Sequence, residues 1–206
     1  QVAPYFALNT VLNEGVFFAA NRLFGIRFVE RTDIPVYHPD VRVWEIFDQN
    51  DEGLALFYGD FFARDSKSGG AWMGNFIEQS TLLSTKPVIY NVCNYQKPAA
   101  GQAALLSWDD VITLFHEFGH TLHGLFARQR YATLSGTNTP RDFVEFPSQI
   151  NEHWASHPQV FTRFARHYQT GEPMPEALRD KMLRSTQFNK GYDMTELLSA
   201  ALLDMN

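Results

Sequence analysis

The chain has 206 residues, enough for one large domain or one lobe of something larger, and its 45% apolar content with 18 Phe supplies a buried core and argues against disorder. The formal net charge is −6, from 17 Lys+Arg against 23 Asp+Glu. Without a basic stripe, nucleic-acid binding has no electrostatic support, and the acidity reads as ordinary solubility. Cys93 is the only cysteine, so an internal disulfide is excluded and a reducing, cytoplasmic setting is expected.

No apolar stretch reaches membrane-spanning length, and no signal peptide is visible. Residues 4–24 show helical spacing, with Leu8, Val11, Leu12, Val16, Phe17, Leu23 and Phe24 on one broad face and Gly25 as a stop. Residues 31–40 contain two prolines and read as a loop. Residues 41–47 alternate with aromatic and β-branched enrichment, a turn follows at 48–53, and 54–62 form a second strand of a hairpin. Residues 65–70 are a polar loop, and Pro87–Tyr95 is a third strand candidate. Cys93 sits in that apolar run and reads as a small buried hydrophobe rather than a nucleophile.

A strong helix is expected next. Ser107 is a good N-cap, and Asp110 completes a capping-box-like pattern. Val111, Leu114, Phe115, Phe118, Leu122, Leu125 and Phe126 surround most of its circumference, which makes it a core element. A polar loop at 133–140 leads to a further helix from Asp142 to about Ser156, with Pro147 confined to its first turn. The remainder reads as helix, a break at 171–175, and more helix. The chain starts at Gln1 without a Met and stops at Asn206 inside a helical pattern (195–205), so a longer natural protein is expected.

The chemistry centres on His116-Glu117-Phe118-Gly119-His120. Positions i and i+4 of a helix share a face, about 6 Å apart. Two imidazoles there can reach one zinc ion at about 2.0–2.1 Å. Zinc lowers the pKa of a bound water toward about 7, and Glu117 is placed to take its proton and later pass one to a leaving amine. Two surface histidines on a helix would be the plain alternative. Burying His, Glu and His without a metal, however, leaves polar groups unsatisfied.

The extended pattern HExxHxxGxxH needs Gly at 123 and His at 126. The chain has His123 and Phe126, so a histidine third ligand of that class is excluded. Glu145, 25 residues after His120 at the start of the next helix, is the third ligand expected, leaving the fourth position open. One zinc ion per chain follows. Glu152 lies two turns further on; it either fixes the tautomer of a ligand imidazole or is an ordinary exposed Glu. His123 is read as lying behind or beside the ligands, facing substrate or satisfied in the core. His153, His157 and His167 are read as surface residues. Arg141 is a candidate anchor for a substrate carboxylate, although a cap or an ion pair with Asp142 is its plainer reading. Further substrate-binding residues are left unassigned.

HEFGHTLHG (116–124) followed by RDFVEFPSQINEHW (141–154) closely resembles the thimet oligopeptidase-type family of zinc metallopeptidases. YHPDVRVWEIFD (37–48), FFARDSKSGGAWM (61–73) and SGTNTPRDFVEFPSQ (135–149) are most similar to its bacterial peptidyl-dipeptidases and their oligopeptidase relatives. The resemblance covers nearly all of residues 1–206. It implies a mainly α fold with a small β-sheet (α+β), the zincin-like catalytic region of a two-lobed, mostly helical enzyme. By position it implies His116, His120 and Glu145 as zinc ligands and Glu117 as base. It also implies short peptide substrates that pass through a deep channel, with release of C-terminal dipeptides or general oligopeptide cleavage. The implied sheet can pair a peptide with its edge strand, for which 87–95 is the sequence's choice. Family members are longer and carry a Gly- and Tyr-rich segment supplying oxyanion donors. Nothing here matches it, so the chain alone is expected to hold zinc and to depend for full activity on remaining segments of the same enzyme.

Overall fold

A computed structural model of the chain describes residues 2–205; the terminal residues Gln1 and Asn206, which bear on the expected longer protein, lie outside them. The first helical run is broken into unlike turns. A short α1 (Leu8–Thr10) passes into a π-helix over Val11–Phe17 and then α2 (Phe18–Phe24). Gly25 ends it in the left-handed region at φ 69°, a conformation that costs glycine little. Leu23 and Phe24, expected on the buried face, are exposed.

Five strands follow. They are β1 (Arg27–Arg31), β2 (Arg42–Phe47), β3 (Gly53–Phe62), β4 (Trp72–Ile77) and β5 (Val88–Tyr95), in the order β1-β2-β3-β5-β4. All neighbours are antiparallel except β3 and β5. The expected hairpin is β2–β3. β1 and β4 carry no strong alternation, and both lie at sheet edges. Residues 88–95, chosen from sequence as the edge, lie inside the sheet: β4 pairs on their outer side with Trp72 opposite Val92 and Met73 opposite Asn91. Asn91, Val92 and Cys93 are buried in succession, which fits that internal place.

α3 (Trp108–Leu125) crosses the sheet's inner face. Ser107 Oγ accepts from the Asp110 N–H at 3.0 Å, and Asp110 Oδ2 accepts from the Ser107 N–H at 2.9 Å, so the capping box is complete. Val111, Leu114, Phe115 and Phe118 are fully buried. Each such side chain contributes roughly 1.5–3 kcal/mol by leaving water. Phe118 meets Phe57 edge-on and Phe17 at a tilt, and Phe17 stacks on Phe28 at 3.9 Å, tying the first helix, sheet and α3 into one core.

The helix expected from 142 is two helices, α4 (Arg141–Val144) and α5 (Phe146–Ser156), with Glu145 at the junction and Pro147 in the first turn of α5. α6 (Pro158–Phe164), α7 (Glu176–Ser185) and α8 (Lys190–Met205) complete the described chain. Among the described residues, no helix is long and apolar enough to cross a membrane.

Candidate metal centre

α3 and α5 pack at very short range, and Gly119 is the reason. A Cβ there would stand 2.6 Å from Ser148 Cα and 2.8 Å from the Pro147 carbonyl, both backbone atoms that cannot swing aside. The contact is pinned by two buried asparagines. Asn151 Nδ2 donates to the Phe115 carbonyl at 2.7 Å, and Asn91 of β5 donates to the Glu117 carbonyl at 3.2 Å. The His116–His120 turn of α3 is thus clamped between α5 and the sheet. None of these supports was read from sequence. A glycine inside a strongly apolar helix was the available signal for Gly119, since such a residue marks close approach.

His116 and His120 project from one face, with ring centroids 5.0 Å apart. Their Nε2 atoms each lie 3.1 Å from Glu145 Oε2. The donor atoms of the three residues all fall within 4.8 Å of one another. Four donors placed tetrahedrally at about 2.0–2.1 Å from zinc stand about 3.3 Å apart, so the spacing observed fits such an ion. Glu152 Oε1 lies 2.6 Å from His116 Nδ1. With Nδ1 donating there, the neutral ring directs its Nε2 lone pair toward Glu145, an opposition that a cation relieves. Ser148 donates to Glu145 Oε2 at 2.8 Å, orienting the carboxylate.

Electrostatics separate the residues. Burial pushes Glu145 upward, but Ser148, His120 and His116 together hold it below the ordinary carboxylate range. Burial pushes His120 down, outweighing the pull of Glu145, and so favours the neutral, ligating form. Glu117 is buried, and that burial raises it to about 7; His116 opposes the rise and Glu145 adds to it. Its Oε2 is buried with no hydrogen-bond partner among the described residues. Glu117 lines the cleft but does not join the three donors.

That cleft, of about 330 Å³, is lined by His116, Glu117, His120 and Glu145 together with Ala71, Trp72 and Met73 at the start of β4. Thr137 and Val144 complete its lining.

The other sequence candidates are scattered. His123 is half-buried near Phe143, outside the donor cluster; its Nδ1 has no hydrogen-bond partner among the described residues, and burial lowers its pKa. Arg141 is exposed at the start of α4. His153 is exposed, whereas His157 and His167 are partly buried against Trp154 and Tyr5. Cys93 is fully buried, and burial raises its thiol to about 12, which removes it as a nucleophile.

Comparison with known proteins agrees with this geometry. Residues 1–206 match the family described as peptidase family M3. The chain is 83% identical over 205 residues to the dipeptidyl carboxypeptidase of Escherichia coli (strain K12), covering 100% of this chain and 30% of that relative. The Salmonella typhimurium dipeptidyl carboxypeptidase is 80% identical with the same coverage. Oligopeptidase A of Escherichia coli (strain K12) is 42% identical over 208 residues, covering 99% of this chain and 30% of the relative. The chain therefore spans about 30% of the length of these curated relatives.

Proposed function

The chain belongs to peptidase family M3, and from that premise we propose that residues 1–206 are the zinc-holding catalytic region of a peptidase that cleaves short peptides and releases C-terminal dipeptides. One observation carries the reading: two imidazole nitrogens one helical turn apart and a carboxylate from the start of the neighbouring helix come together, beside Glu117, whose buried Oε2 has no hydrogen-bond partner among the described residues.

His116, His120 and Glu145 would hold the ion, with Glu152 setting the ring of His116. A zinc ion bound there supplies Lewis acidity toward both the scissile carbonyl and the attacking water. Glu117 accepts a proton from that water and returns one to the departing amine. A base that titrates near neutrality suits both transfers. β4 lies at the sheet edge and its first residues line the cleft, so an extended peptide can pair along it and be held across the His116–His120 face.

Dipeptide release is supported by the 83% identity to a relative named for that activity. The 42% identity to oligopeptidase A favours a second reading, general cleavage within short peptides. Mass spectrometry of the products from a free-acid peptide and its C-terminally blocked form, with and without chelator, separates the two. Dipeptides from the free acid alone support the first reading, and equal cleavage of both peptides supports the second. Chelator-insensitive cleavage removes the metal from either.

Remaining segments of the same enzyme are the expected partner. Beyond the metal-seat residues, the described cleft lining offers only the Thr137 hydroxyl and the Trp72 indole as side-chain donors to an oxyanion. Each missing oxyanion donor typically costs about 10²–10³ in rate, so the chain by itself is expected to bind zinc fully and turn over slowly. A cytoplasmic setting accords with the single buried thiol of Cys93.

A further inference from the structure

Between β3 and β4 the chain runs through a polar loop, residues 63–71, whose charged residues take no part in the metal seat. Lys67 is a cation with a side chain only 5% exposed. Its ammonium donates to the Phe62 carbonyl at 2.7 Å, to the Asp60 carbonyl at 3.2 Å and to the Cys93 carbonyl, and it lies 3.2 Å from Asp60 Oδ1. Asp60 is itself 2% exposed. It receives both Arg64 guanidinium nitrogens at 2.7 and 2.8 Å and the Tyr37 hydroxyl at 2.9 Å. Charges buried this deeply persist only where hydrogen bonds saturate them, and a fork–fork Arg–carboxylate pair adds fixed geometry. Farther along the loop, Asn94 of β5 donates to the Ser68 and Gly70 carbonyls, both at 2.7 Å.

The consequence lies at the loop's exit. Ala71, Trp72 and Met73 line the same cleft as His116 and Glu117. Trp72 and Met73 are held to the sheet through Val92 and Asn91 of β5. Asn91 is the residue that donates to the Glu117 carbonyl; just beyond it the Cys93 carbonyl accepts from Lys67, and the Asn94 side-chain amide donates to the loop carbonyls of Ser68 and Gly70. One short stretch of β5 thus joins the loop anchors to the catalytic turn of α3. Among the described residues β4 has β5 as its only strand neighbour, so its position depends on where the loop delivers it.

We propose that Asp60, Arg64 and Lys67 form a positioning latch that sets the β4 wall against the His116–Glu117 turn and so fixes how a peptide is held across the metal seat. The latch rests on the peptidase reading above, but the metal seat on α3 and α5 does not depend on it. Its signature is therefore loss of peptide binding without loss of zinc.

The test compares Lys67→Met, which keeps length and removes charge, with the unsubstituted enzyme at stoichiometric zinc. It reads zinc content, the affinity for a short free-acid peptide, and hydrogen exchange at the amides of Trp72–Ile77. The expected result is one zinc retained, faster exchange in β4 with α3 unchanged, and peptide affinity weakened about tenfold or more, since small misplacements of binding groups are costly. Unchanged peptide affinity would overturn the proposal even if exchange accelerated, and so would zinc lost in step with affinity. Should Lys67→Met fail to fold, Arg64→Gln on the solvent side of the same carboxylate gives the deciding measurement, with a smaller loss in the same direction. An unsubstituted enzyme that binds zinc but no peptide would sink the peptidase reading and take the latch with it, whereas failure of the latch alone leaves the unsubstituted enzyme's peptide binding intact.

Discussion

α3 and α8 are both long, apolar-rich helices, yet α3 buries ten of its residues while α8 buries none. Leu197, Leu198 and Leu203 of α8 remain largely exposed, Leu203 at 80%. Composition does not separate the two; surroundings do. α3 has a complete capping box, a glycine that admits α5 to backbone contact, and a second glycine, Gly124, that admits Met73 and Ile89 from the sheet. An apolar helix becomes a rigid platform for chemistry when neighbours are shaped to meet it on several sides. The proposed metal seat stands on the helix that meets this condition.

The sharpest way to break this contrast is at Glu117. Glu117→Gln keeps the packing and the three donors but removes the proposed base, so turnover should fall by about 10²–10⁴ while zinc content stays at one per chain. Steady-state rates and metal analysis check both halves, and undiminished turnover would remove Glu117 from the mechanism. Next comes Glu152→Ala, which strips His116 of its partner. Zinc affinity, read by chelator competition, should weaken by about 10–100-fold. Gly119→Ala forces a methyl into the α5 backbone; denaturant titration should show a loss of about 1–3 kcal/mol, accompanied by weaker zinc binding as Glu145 is displaced.

The sheet side offers a pH test. Burial pushes Asp60 upward, but Arg64, Tyr37 and Lys67 outweigh it and hold its carboxyl below the ordinary range. A carboxyl depressed in the folded state binds protons more readily when unfolded. Its stabilising contribution is therefore present above the unfolded pKa of about 3.9 and is lost as pH falls through the lower folded value. Asp60→Asn should flatten that acid limb in melting curves recorded below about pH 4, and an unchanged limb would count against the latch. At the far end of the scale, Leu203→Ala on α8 should change stability by less than about 0.5 kcal/mol in the same denaturant titration. A loss of core size there would show that α8 is packed after all.

Much of this contrast could be read from sequence, in proportion to how local its causes are. The capping box at Ser107 and Asp110, the stop at Gly25 and the β2–β3 hairpin all depend on residues a few positions apart. The spacing of His116 and His120 likewise dictates a shared helix face, whatever surrounds it. The edge strands were not legible. β1 is Arg-Phe-Val-Glu-Arg, and β4 contains Gly74 and Asn75, so neither alternates cleanly; charged and polar residues are what exposed edges carry. Missing β4 made β5 look like an edge. The break at Glu145, the π-turns of the first helix and the supports Asn91, Ser148 and Asn151 depend on contacts between segments far apart in sequence, which no local pattern encodes.

Zinc-edge anomalous diffraction from crystals of the metal-loaded chain tests the account where it is most exposed. The account predicts one zinc peak between His116 Nε2, His120 Nε2 and a Glu145 oxygen, each about 2.0–2.1 Å away, with Glu117 near the ion but not bound to it. A peak elsewhere, or a loaded crystal in which the Glu145 side chain points away from the imidazole pair, would contradict it.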